Sequence, residues 1–75
     1  MEIGRLVKMA NEIGAYFGAL PDRSEAVSSV AAHLRNFWEP RMRRQIIEYA
    51  QHGGEELSDL VREAVLSLNA DTSRT

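Results

Sequence analysis

Apolar residues recur along this chain at three- and four-residue intervals in four stretches, and each stretch predicts one amphipathic helix. The first covers about Ile3 to Ala19, with a stripe of Ile3, Leu6, Val7, Ala10, Ile13 and Phe17, and Leu20 just beyond. The second runs from about Arg23 to Phe37 and presents Ala26, Val27, Val30, Ala31 and Leu34, then Phe37 or Trp38. The third, from about Pro40 to His52, turns Met42, Ile46, Tyr49 and Ala50 inward, with Ile47 near the boundary. The fourth is shorter and uses Leu60, Val61, Ala64, Val65 and Leu68. No β-branched run alternates between turn residues, so no strand is expected. No repeat of 20–50 residues is visible either.

The breaks between the stretches carry their own chemistry. Leu20-Pro21-Asp22 ends the first helix, because the residue before a proline is pushed out of the helical region. Asp22 with Glu25 three residues on has capping-box spacing for the second helix. Pro40 fits the first turn of the third, where its missing N–H has no partner to lose. Gly53-Gly54 ends that helix, since glycine takes the left-handed conformation cheaply. Ser58 is a candidate N-cap, with Asp59 complementing the dipole of the fourth helix. Gly14 and Gly18, four apart, leave room for another helix to approach closely. The fold expected is all-α: a compact bundle of four short helices with Pro and Gly-Gly corners. Residues 1–68 form its single domain, and 69–75, which lack an apolar pattern, form a loose tail.

Length and composition narrow the function. Seventy-five residues make one small domain, and 44% apolar residues exceed what a disordered chain carries. A core of this size supplies roughly 3–5 kcal/mol of net stability, and it has few ways to enclose a substrate. A module that docks onto something larger is the first expectation. No apolar run approaches the ~20 residues of a membrane span. The N-terminus shows no basic-then-apolar leader pattern, so a cytoplasmic location is expected. The net charge of -2 gives no global field to attract nucleic acid or acidic lipid.

Candidate chemistry is sparse. There is no cysteine, and His33 and His52 lie on different predicted helices without metal-ligand spacing, so no metal is expected. His33 reads as a core-edge residue and His52 as a helix C-terminal one. The eleven carboxylates are scattered outside apolar stretches, and the serines lack a nucleophile-elbow context. The chain is therefore not expected to be catalytic alone.

One segment stands apart. His33 to Arg44 holds four of the nine basic residues, all arginine, around the only tryptophan. Arginine offers a planar fork of donors suited to carboxylate and phosphate, and Trp with Arg is the usual make-up of an interface hot spot. The candidate partner-binding residues are Arg35, Trp38, Arg41, Arg43 and Arg44. On a helix begun at Pro40, Arg41 and Arg44 project from one side, Arg43 from another, and Met42 faces the core. The blander reading makes Phe37 and Trp38 corner packing and the arginines a solvated face. An alternative of a different class is a small helix-turn-helix-like DNA-binding regulator. Against it stand the acidic net charge, the near absence of lysine, and a joint built on proline.

Three blocks carry a family resemblance: Leu6 to Ile13 with Phe17 following, Ala32 to Arg43, and Gly53-Gly54 with Leu57, Leu60-Val61 and Ala64. The string Phe37-Trp38-Glu39-Pro40-Arg41-Met42-Arg43 is the most specific part. With these blocks the chain resembles the delta subunit of the soluble NAD-dependent molybdenum- or tungsten-containing formate dehydrogenases. Members often carry Gln at the position of Glu12 and Asp at that of Glu39. The resemblance implies a non-catalytic accessory subunit in a cytoplasmic complex. Its alpha subunit would carry bis-molybdopterin guanine dinucleotide and iron–sulfur clusters. The beta and gamma subunits would pass electrons to NAD through FMN. The delta chain itself would bind no cofactor stably, docking on alpha and supporting cofactor insertion or complex stability. No nucleic acid or membrane is implied as a partner, and self-association of the isolated chain stays open.

Overall fold

The computed structural model describes residues 2–73, with side chains through Leu68, as four helices in chain order. These are α1 (Ile3–Phe17), α2 (Arg23–Phe37), α3 (Pro40–Gln51) and α4 (Asp59–Ser73). The all-α expectation holds.

Three of the helix ends are set as the sequence suggests, with differences of detail. The Asp22 carboxylate caps α2, but it accepts from the Ser24 N–H at 2.9 Å rather than from Glu25. Gly53 and Gly54 close α3 with φ of 113° and 55°, the region only glycine enters without strain. The Gly54 N–H then reaches back to the Tyr49 carbonyl at 3.0 Å. Ser58 caps α4 through its Oγ, which accepts from the Val61 N–H at 3.3 Å. Helix α1 stops two residues earlier than its stripe suggests, at Phe17, where Gly18 and Ala19 turn toward Pro21. Helix α4 is longer than its apolar pattern suggests and continues through Ser73. Most of the stretch expected as a loose tail thus has helical backbone, and residues 74–75 lie outside those described.

The core is a single cluster drawn from all four helices. Leu6, Val30, Leu34, Ile46, Val61, Val65 and Leu68 are completely or almost completely buried within it. Ile47 belongs to this core rather than to its boundary, and Leu57 enters it from the loop before α4. Helix α4 packs against the other three, most broadly against α2. Its contact with α1 depends on Gly14, which is buried: a Cβ there would lie 2.3 Å from Val61 Cγ2. This is the close helix approach that the glycine spacing anticipates.

The choice between Phe37 and Trp38 falls to tryptophan. Phe37 is 73% exposed and Trp38 only 6%. Trp38 sits at the C-cap of α2 with an extended backbone, φ -94° and ψ 141°. Leaving the helix there breaks the 100° step between neighbours, so Trp38 joins the core while Phe37 keeps its outward helical direction.

Candidate functional site

The joint between α2 and α3 begins with a helix end that needs partners. The last carbonyls of α2 have no intrahelical N–H to accept from. Arg43, one turn into α3, supplies donors: its Nη1 donates to the carbonyl of Arg35 at 2.7 Å and to that of Trp38 at 3.0 Å. Proline at the first position of α3 fixes the entry angle of the chain. Glu39 stands at the N-cap but makes no side-chain cap bond, so the family's shorter Asp is not required at this joint for capping.

The five sequence-derived candidates therefore separate. Arg41 and Arg44 are exposed and share the wall of an open cleft of about 480 Å³ with Glu39, Pro40, Met42 and Gln45. Arg35 is exposed on the last turn of α2. Arg43 is half-buried and committed to the α2 terminus, pointing away from its two neighbours as the helical wheel requires. Trp38 is not a surface anchor, because its ring is packed into the core. What remains outward is a pair of guanidinium groups at the start of α3, where the helix dipole also favours negative charge. Such a pair binds carboxylate or phosphate.

A second surface was not legible in the sequence. Four rings touch in series across α1 and α2. Tyr16 and Phe17 meet edge to face with centroids 5.0 Å apart, Phe17 lies 6.1 Å from His33, and His33 lies 4.7 Å from Phe37. His33 is half-buried at the core edge, as expected, and the outer members, Tyr16 and Phe37, are 77% and 73% exposed. Beneath the row runs an open groove of about 510 Å³ between the two helices, with Trp38 and Ile13 among the residues lining it. The i, i+4 pair His33–Phe37 was the available signal, but it read as one core-edge residue beside one core residue.

Asn11 was also missed. Its side chain grips the loop before α4 with both ends: Nδ2 donates to the Glu56 carbonyl at 2.8 Å, and Oδ1 accepts from the Ser58 N–H at 3.0 Å. The same loop is touched by the Tyr49 hydroxyl, which accepts from the Glu56 N–H at 3.4 Å. Asn11→Ala should remove two hydrogen bonds and destabilise the chain by roughly 1–3 kcal/mol. Asn11→Asp keeps only the acceptor and should cost an intermediate amount. Urea unfolding midpoints of the three proteins test the order.

Among the described residues, no three His, Asp or Glu side chains come together as metal ligands. Among the described residues, no helix is long and apolar enough to cross a membrane. His52 caps α3, its Nδ1 within 2.8 Å of the Glu48 carbonyl, and stands apart from His33.

Fold and surface together define a small all-α protein whose distinctive chemistry is a basic cleft at the start of α3 and an aromatic face across α1 and α2. The chain belongs to the NADH-dependent formate dehydrogenase delta subunit family, whose model it matches over residues 5–65. It is accordingly a formate dehydrogenase component with partner subunits. No match was found among curated proteins or among solved structures.

Proposed function

We propose that this chain is a non-catalytic accessory subunit that docks on the molybdopterin-containing alpha subunit and supports cofactor insertion or the stability of the complex. The observation that carries the reading is the outward pair Arg41 and Arg44, held on a shared cleft by a proline-started helix. Arg35 extends the same basic corner. Arg43 and Trp38 serve it indirectly, by fixing the end of α2 against α3. The cofactors of formate oxidation, bis-molybdopterin guanine dinucleotide, iron–sulfur clusters and FMN, belong in this reading to the alpha, beta and gamma subunits. The working location is the cytoplasm.

Charge reversal tests the surface without touching the core. Arg41→Glu with Arg44→Glu should leave helicity unchanged and lower co-purification of the alpha subunit at least about tenfold, the scale of an interface hot spot. The molybdenum or tungsten content of alpha from the same cells reads the maturation role and should fall in parallel. Full recovery of metal-loaded alpha with the double variant would overturn this surface. The DNA-binding alternative has no comparable support: the cleft is small, and Lys8 is the chain's only lysine.

A further inference from the structure

We propose that the aromatic groove between α1 and α2 is a second docking site, and that its occupant is an amphipathic helix of another formate dehydrogenase subunit. That helix would present an apolar ridge with a Lys or Arg facing Glu12. The proposal rests on the reading of the chain as an accessory subunit and adds a surface that the basic cleft does not include.

Single exposed apolar residues are ordinary, but a contiguous row is not. Here Tyr16 and Phe37 protrude at either end of a continuous row of ring contacts, each more than 70% exposed. The groove below them is floored by apolar side chains, Met9, Ile13 and Trp38 among them. A helix laid between two helices inserts its ridge into such a groove, which is the recurring mode for amphipathic helices in apolar clefts. Large, stiff aromatic side chains at the edge of a concave apolar patch are also the usual composition of an interface centre. A small polar ligand would need several convergent polar groups, whereas the lining is mainly apolar, with polar atoms at Glu12, His33 and the Tyr16 hydroxyl.

Charge selects among apolar occupants. Glu12 is the one carboxylate on the groove, and no lysine or arginine lines it. A cation opposite would pair with Glu12 and lie near the ring of Tyr16, one helical turn further along α1. A second copy of this chain, face to face, would instead bring another Glu12 to a groove whose lining carries no lysine or arginine. The groove is therefore complementary to a basic amphipathic helix rather than to itself.

The test uses the full chain co-expressed with the other formate dehydrogenase subunits. A photo-crosslinking phenylalanine analogue at position 37 should capture a peptide of one of those subunits, with helical apolar spacing and a Lys or Arg within it. Phe37→Ser and Tyr16→Ser, both at exposed positions, should keep full helicity and lower subunit co-purification about tenfold or more. Glu12→Lys should do the same, and Glu12→Gln should lose less. A crosslinked peptide from this chain itself, with a dimer that Phe37→Ser dissociates, would overturn the proposal in favour of a second copy. If Arg41→Glu with Arg44→Glu loses the subunits while Phe37→Ser and Glu12→Lys retain them, the accessory role stands and the groove assignment falls. If the wild-type chain recovers no formate dehydrogenase subunit at all, the accessory role falls and the groove assignment with it.

Discussion

Replacing Trp38 by Ala should unfold the isolated chain. The ring is 6% exposed and belongs to the one core cluster that joins all four helices. Truncating a buried tryptophan costs ~3–5 kcal/mol, the transferred area plus the cavity left behind. A domain of this size has roughly 3–5 kcal/mol in total. Far-UV circular dichroism of Trp38→Ala should therefore show little cooperative melting. Trp38→Phe keeps part of the packing and should remain folded. A loss of about 1–2 kcal/mol would lower its Tm by roughly 5–15 °C. The wild-type fluorescence should be blue-shifted, since this is the only tryptophan. A sharp Trp38→Ala transition close to that of the wild type would refute the burial. The consequence for function is direct. Loss of complex assembly in Trp38→Ala reports unfolding, whereas loss in Arg41→Glu or Phe37→Ser, at exposed positions, reports the surface itself.

That contrast also shows what periodicity conveys. Within the helices the 3.6-residue repeat selects the buried face, which is why Leu6, Val30, Leu34, Val61 and Val65 were legible. At a helix end it stops applying. Trp38 lies one residue beyond α2 with extended backbone, so it turns inward where continued helical geometry would have left the choice with Phe37 open. Partners distant in sequence leave no periodic trace either. Asn11 meets Glu56 and Ser58 across more than forty residues, and nothing local distinguishes it from any other surface asparagine. Arg43 looks like its neighbours until α2 ends above it. The separation of Arg41 and Arg44 from Arg43 was legible, because it follows from angles within one helix. The aromatic row was not, because it joins α1 to α2. Helix α4 outruns its apolar stripe for a related reason: backbone hydrogen bonding propagates a helix past the last packed side chain, and hydrophobic spacing records only the packing.

The close approach of α1 to α4 gives a prediction whose sign is unusual. An alanine normally stabilises a helix interior relative to glycine, by up to ~1 kcal/mol. At Gly14 it should destabilise. The new Cβ would stand 2.3 Å from Val61 Cγ2, well inside van der Waals contact. Val61 has no room to yield: it is fully buried, and a β-branched side chain on a helix has one strongly preferred rotamer. Over-packing of this kind costs ~1–3 kcal/mol, so Gly14→Ala should lose a net 1–2 kcal/mol, roughly, after the propensity gain. Gly14→Leu pushes three more carbons into the same contact and should not fold. The informative protein is the double variant. Val61→Ala removes the clashing methyl and leaves a cavity, destabilising on its own. The Cβ of Gly14→Ala then occupies part of that cavity. Gly14→Ala with Val61→Ala should therefore be less destabilised than the sum of the single variants, with a coupling of about 0.5–3 kcal/mol. Urea midpoints of the four proteins measure it, and additivity within error would show that α1 and α4 do not meet at these two positions.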